Sequence, residues 1–423
     1  MNIVMFTNTY TPIAGGVARS VEAFTHEFRR RGHRVLVLAP EFPNMPTDEE
    51  DVLRIPAIQK FNGSDFSAVL PVSGLLSKTL NQFQPDVIHA HHPYLLGVTA
   101  LRIARYREIP LVFTHHTRYE EYTHYVPGDS PQLRRFVVEA AVRFSNLADQ
   151  VFAPSESIMT LLRERGVSSP ILVVPTGVDV QCFATGDDVR LRQELNIPAD
   201  NPVIGHLGRL APEKNLDFLT DAVMTYLLEN PDAHFLLVGT GTSEQSIHKK
   251  IAEKKLESRL HHLGVIDRQQ LVDAYHAMTV FVFASKSETQ GMVLTEAMAA
   301  GTPVVALDAP GAREVVKESV NGRLLLEQSV ESFADAISWV CQQSNEQKQR
   351  LHAAALATAN EFSMGQCAGK ALACFESLQQ RRNREPEEEA QWHHILQLIK
   401  TEWDILKGVG AATQSALSRE EKT

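Results

Sequence analysis

The sequence predicts an α/β protein made of two Rossmann-like, doubly wound domains facing a cleft. Three observations carry this. Short apolar runs alternate with longer amphipathic stretches through the first half of the chain, as strands buried in a parallel sheet alternate with the helices that cover them. The alternation restarts near residue 200, after a polar stretch over 179–201 with no strand signal. A chain of 423 residues also exceeds what one hydrophobic core serves.

In chain order, strands are expected at 3–7, 34–39, 86–90, 111–114 and 150–153. An amphipathic helix over 17–31 stops at Gly32, where a residue of positive φ closes a helix well. These elements make an N-terminal Rossmann-like domain over residues 1–185. The second set, at 202–207, 234–239, 260–263, 280–284 and 303–306, makes a second Rossmann-like domain over 186–362. A helix over 363–380 is expected to return to the first domain. Residues 381–423 begin as a charged linker and continue as an amphipathic tail, with Trp392, Ile395, Leu396, Ile399, Trp403 and Leu406 three and four apart. That stripe suits a helix packed on the protein or in a dimer; its basic residues are few for a membrane-surface helix.

The formal net charge of −10 argues against a partner whose main feature is a nucleic-acid backbone. The first 190 residues are close to neutral, so they are the less repelled by an anionic membrane surface. Four cysteines, Cys182, Cys341, Cys367 and Cys374, form no CxxC pair and are expected to be reduced. The amino end lacks a basic segment followed by an apolar run, and no stretch reaches the roughly 18 to 20 apolar residues of a membrane span. A cytoplasmic protein is expected, at most in peripheral contact with the cytoplasmic face of a membrane.

The richest motif follows the expected strand at 280–284. Glu288, Gly291 and Glu296 fall on a loop and the start of a helix, which closes with Gly301-Thr-Pro. Free N–H groups around Gly291, Met292 and Val293 make a phosphate site, and Gly291 permits close approach of the backbone. Two carboxylates beside such a site suit sugar hydroxyls; the plainer reading has them complement the helix dipole. Upstream, Gly208-Arg209-x4-Lys214-Asn215 follows the first strand of the second domain. Two cations five residues apart can neutralise a diphosphate leaving group from two sides, which counts most in a water-poor cleft. At the amino end, Gly15-Gly16 precedes the first helix, a weak signal alone for close passage of a ligand.

Taken in order, the Gly-Gly loop, the Gly-Arg-x4-Lys-Asn segment and the Glu-x7-Glu loop resemble the GT-B family 4 retaining glycosyltransferases over roughly residues 1–375. The resemblance implies a nucleotide-diphosphate sugar as donor substrate, with no cofactor and no essential metal. It places Arg209 and Lys214 on the diphosphate, Glu296 on the ribose, Glu288 on the donor sugar, and backbone at Val265-Ile266 on the base. Gly16 would lie against the diphosphate. A further stretch, His115-His116-Thr117-Arg-Tyr119-Glu120-Glu-Tyr122-Thr-His124-Tyr125, is similar to the diacylglycerol glucosyltransferases of that family. It implies a catalytic His116 near the donor sugar, with Tyr119, Glu120, His124 and Tyr125 on the acceptor side. A strand's alternation should send His115 the other way. His89, His91 and His92 crowd another strand end without the carboxylate or cysteine set of a metal site.

The expectation is therefore retaining transfer of a hexose, taken to be glucose from UDP-glucose, to a lipid such as diacylglycerol. A mannosyl- or other hexosyltransferase acting on a glycan or soluble acceptor is the alternative. A binding module without catalysis is the rival of another class. A nicotinamide dehydrogenase is suggested only by Leu236-Leu-Val-Gly239-Thr-Gly241, which lacks the third glycine of the dinucleotide fingerprint. Acceptor contacts have two candidates: the apolar stretch 65–80, broken by Pro71 and Gly74, and a helix carrying Arg134, Arg135 and Arg143. Both suit core packing as well as lipid.

Overall fold

A computed structural model describes residues 1–13, 15–58, 68–69, 73–125 and 129–382. The tail stripe at 392–406 and most of the apolar stretch before residue 73 lie outside the described residues. The described chain forms two compact units, Met1–Thr176 joined by residues 367–382, and Gly177–Gln366.

The first unit is built on a seven-stranded parallel sheet. Its strands are β1 (Asn2–Phe6), β2 (Arg34–Pro40), β3 (Val52–Ile55), β6 (Val87–Ala90), β7 (Leu111–Thr114), β8 (Gln150–Ala153) and β9 (Ile171–Val173); a small antiparallel pair, β4 (Ala57–Ile58) and β5 (Ala68–Val69), stands apart. The order β3-β2-β1-β6-β7-β8-β9 reverses direction between β1 and β6. Ile3 pairs with Val35 on one side and Val87 on the other. Beyond the carboxyl ends of strands at such a reversal, open α/β sheets bind their ligands. The helix Met364–Arg382 packs here through Phe375, whose ring stacks on Phe152 at 5.8 Å and meets Phe28 edge-on at 5.8 Å.

The second unit has six parallel strands: β10 (Val203–Leu207), β11 (His234–Val238), β12 (Leu260–His262), β13 (Val280–Phe283), β14 (Val304–Leu307) and β15 (Gly322–Leu325), in the order β12-β11-β10-β13-β14-β15. Its reversal lies between β10 and β13, so the two motif-bearing loops leave neighbouring strand ends. The stretch 179–201, expected as a polar connection, holds two short helices, Val180–Phe183 and Asp188–Glu194, each capped by an aspartate side chain. The unit closes on itself near Gly177. Val178 donates its N–H to Phe362 and accepts one from Met364, both at 2.9 Å. A Cβ on Gly177 would stand 2.2 Å from the Met364 Cα, so only glycine fits there.

Every strand expected from the sequence is present to within a residue or so. Five more are found: the short pair β4 and β5, and β3, β9 and β15 at sheet edges, where partial burial explains why no continuous apolar run announces those three. The four cysteines are free thiols.

Candidate functional site

The loops after β10 and β13 are laced together. Gly208, at φ +153°, turns the chain out of β10, and a single 3-10 turn, Pro212–Lys214, follows. Asn215, in the left-handed region, starts the helix Leu216–Glu229 and donates from its side chain to the Ala284 carbonyl at 3.2 Å. From the other loop, the Ser285 and Ser287 hydroxyls donate to the Glu213 carbonyl at 3.4 and 3.2 Å. The consequence is a direct ion pair between the Lys214 ammonium and the Glu288 carboxylate, both side chains more than four-fifths removed from solvent. Two residues read from sequence as facing different parts of one ligand thus neutralise each other here. Arg209 is more open and bridges to Glu213 at 2.6 Å within its own loop.

Gly291 enters the helix Met292–Ala299 at φ +69°, leaving the Met292 and Val293 N–H groups at the helix's positive end. Glu296, in the second turn of that helix, is buried, and the Tyr275 hydroxyl donates to it at 2.8 Å. Tyr275 fixes the carboxylate's direction, and nothing in its own helical pattern marks it for that role. His206 is another group the motifs miss. It lies buried in β10 and donates from Nδ1 to the Val282 carbonyl at 2.9 Å, which leaves Nε2 an acceptor without a partner. Burial, and less so the charge of Lys214, pushes its pKa down to about 4. A polar residue inside a five-residue buried strand is the signal that could have found it.

The Gly239-Thr-Gly241 fragment has a packing explanation. A Cβ on Gly239 would stand 1.9 Å from the Gly208 carbonyl oxygen, and one on Gly241 2.2 Å from that of Leu210. Leu210 donates to the Thr240 carbonyl at 2.9 Å, so these glycines support the Arg209 loop. Next to them, Val265 is 84% exposed, unusual for valine, while Ile266 packs on the core.

In the first unit, the carboxyl ends of β6 and β7 carry a histidine cluster. His116 and His91 hydrogen-bond at 2.9 Å with their rings stacked at 5.2 Å. His89 bonds the Thr114 hydroxyl at 2.7 Å, and His92 Nδ1 accepts from the Asn8 N–H at 3.1 Å. His115 turns away, edge-on to Phe113 and Tyr119, with neither ring nitrogen partnered. Burial first, then the neighbouring histidines, holds His116 well below its ordinary pKa, so it is a neutral imidazole. The expected acceptor residues separate. Tyr119 presents a buried hydroxyl without a partner and packs edge-on to Tyr94 at 5.3 Å. Glu120 accepts from Arg165 at 2.6 Å; burial, the largest single influence, opposes its ionisation, but Arg165, a backbone N–H and Arg118 together lower its pKa. His124 and Tyr125 belong to the 3-10 segment Tyr119–Tyr125, but their side chains lie outside the described residues. On the helix Pro131–Leu147, Arg134 and Arg143 pair with Asp129 and Glu139. Gly15 is extended and caps the helix Gly16–Arg30, and a Cβ on either Gly15 or Gly16 would meet nothing within 4 Å. Neither local strain nor packing therefore asks for these two glycines.

Among the described residues no helix is long and apolar enough to cross a membrane. Residues 14–181 match the family model Glycosyltransferase Family 4, and residues 187–357 match Glycosyl transferases group 1. An alpha-monoglucosyldiacylglycerol synthase of Streptococcus pneumoniae is 29% identical over 338 residues, covering 77% of this chain and 75% of that protein. A GDP-mannose-dependent alpha-mannosyltransferase of Mycobacterium tuberculosis is 30% identical over 336 residues, covering 77% and 84%. Among solved structures, the Anabaena protein HepE in complex with UDP and glucose aligns with a TM-score of 0.69 at 23% identity, over 89% of this chain and 99% of that one. That likeness establishes the GT-B architecture.

Proposed function

This chain belongs to the family 4 glycosyltransferases of GT-B fold, and from that premise we propose that it is a retaining hexosyltransferase that moves glucose from UDP-glucose to a lipid such as diacylglycerol. The observation that carries the donor half is the Lys214–Glu288 pair at the β10/β13 reversal, beside the N-terminus of the helix Met292–Ala299. A diphosphate entering there gives Lys214 a stronger anion than one carboxylate and frees Glu288 for sugar hydroxyls. As the bond from the anomeric carbon to the diphosphate breaks, Lys214, Arg209 and the Met292–Val293 N–H groups stabilise the growing negative charge. The acceptor attacks on the face from which the diphosphate leaves. In this reading the transfer draws its positive field from the protein alone, without a metal or cofactor.

Glu296, aimed by Tyr275, takes the ribose hydroxyls, and the exposed Val265 beside Ile266 takes the base. For the first unit we assign acceptor recognition to Tyr119 and the segment after it; neutral His116 serves as a hydrogen-bond partner for a sugar hydroxyl. The lipid acceptor rests on the similarity to the glucosyldiacylglycerol synthase together with the His-Thr-x-Tyr-Glu stretch, and it entails peripheral contact with a membrane. The mannosyltransferase relative favours a second reading, GDP-mannose with a glycan or soluble acceptor. Thermal shift against UDP-glucose, UDP-galactose, UDP-N-acetylglucosamine and GDP-mannose, then transfer to diacylglycerol vesicles, separates them. Stabilisation by UDP-glucose with lipid product formed is the expected result. Stabilisation by GDP-mannose alone overturns the donor assignment, and sugar transfer only to water-soluble acceptors overturns the lipid.

A further inference from the structure

Beside the base segment, the second unit carries a cluster that sugar transfer does not use. Glu244 and His248 lie four residues apart on the helix Glu244–Glu253, hence on one face, and His262 ends β12 opposite them. Among the described residues, these three form the group whose ligand atoms could hold a metal ion, all within 4.8 Å of one another. The hydrogen bonds fix how His262 is presented. Its Nε2 stands 2.7 Å from the Gly239 carbonyl oxygen. A carbonyl only accepts, so Nε2 carries the proton and Nδ1 keeps its lone pair. That Nδ1 lies 3.0 Å from His248 Nε2 and 3.8 Å from a Glu244 carboxylate oxygen.

We propose that Glu244, His248 and His262 form a binding site for a divalent transition ion of the zinc class. Two nitrogens each about 2.0–2.1 Å from a tetrahedral zinc stand roughly 3.3 Å apart, close to the present separation. Glu244 closes the remaining distance by a rotamer change, which its side-chain exposure of 39% permits. The Gly239 carbonyl is the outer partner that metal-bound imidazoles characteristically use to fix tautomer and ring direction. Two imidazoles and one carboxylate favour zinc, nickel or copper over magnesium or calcium, which prefer all-oxygen sets. The ion is a clamp between β12 and the helix Glu244–Glu253. It holds the strand end from which residues 263–266 leave and takes no part in bond breaking.

The test uses the full chain without an affinity tag, stripped with chelator and titrated calorimetrically with ZnCl2, alongside cobalt(II) followed by its visible absorption. One zinc per chain is expected, with a cobalt spectrum of four or five coordination and a raised Tm. His248→Ala, at an exposed position, and Glu244→Gln should each weaken zinc at least tenfold while leaving the metal-free Tm unchanged; magnesium should not bind. His234 with His261, hydrogen-bonded at 3.0 Å, and His91 with His116, at 2.9 Å, are competing imidazole pairs. If the endpoint survives His248→Ala the proposal fails, and its loss in His261→Ala or in His91→Ala shows which of those pairs holds the ion. The proposal fails equally if the parent takes up no zinc.

Discussion

Lys214 and Glu288 hold each other from two loops that leave neighbouring strands, with His206 buried behind them. The pair is mostly shielded, so removing one member leaves the other short of a counter-charge in a medium poorer than water. Lys214→Ala is expected to lower kcat/KM with the correct donor at least tenfold, about 1.4 kcal/mol of barrier. Turnover within about threefold of the parent would show that Lys214 does not meet the diphosphate. Glu288→Gln keeps the shape and removes the charge; it should reduce transfer and donor hydrolysis together. His206→Leu stays close to histidine in volume but deprives the Val282 carbonyl of its donor, which should cost about 1–3 kcal/mol in urea unfolding. An unchanged midpoint would mean that carbonyl is satisfied in another way. The cations and carboxylates were legible because loop motifs expose them. His206 and Tyr275 were not, because a strand or helix pattern records which face a residue occupies and not which group it touches.

At the scale of elements, two glycine pairs that look alike in the sequence do different work. Gly239 and Gly241 lie against the backbone of Gly208 and Leu210, and Gly239 also sits at φ +123°. Gly239→Ala must therefore push the Arg209 loop away, with an expected loss of about 1–3 kcal/mol and a fall in activity in proportion. Gly15 and Gly16 have open space where a Cβ would go and ordinary backbone angles for any residue. Gly16→Val should leave the thermal midpoint within about a degree, because surface substitutions away from special features are nearly neutral. If this loop meets the diphosphate, the same change should raise the donor KM severalfold. A stable Gly16→Val with unaltered KM removes the amino-terminal loop from the donor site. The contrast explains the limits of reading strands as well. Central strands such as Val280–Phe283 are buried along their whole length and read as unbroken apolar runs. Val52–Ile55 and Ile171–Val173 face solvent along an edge and do not.

Among the described residues of the whole molecule, the buried histidines are unevenly divided, and acid should expose that division. In the first unit burial holds His89 at about 3 and His92 and His115 at about 4, with His91 and His116 also well below 6.5. In the second unit His206, at about 4, is the deeply buried counterpart, while His261, also at about 4, is half-buried and pairs with His234. A histidine kept neutral by the fold takes up a proton only on unfolding, so between its depressed pKa and 6.5 the unfolded chain binds more protons. Its stabilisation is complete above pH 6.5 and is lost as pH falls toward 4, by up to about 1.4 kcal/mol per pH unit for each such group. The first unit should therefore lose stability faster than the second between pH 6.5 and 5. Trp339 packs in the second unit, its ring 5.1 Å from the Arg323 guanidinium, and can report on that unit once Trp392 and Trp403 are replaced by phenylalanine. In urea at pH 7, far-UV circular dichroism and Trp339 fluorescence give reference midpoints. At pH 5 the dichroism should begin to fall at lower urea than the Trp339 signal. Equal displacement of both curves, or earlier loss at Trp339, would mean that the histidines at the ends of Val87–Ala90 and Leu111–Thr114 do not set the acid limit.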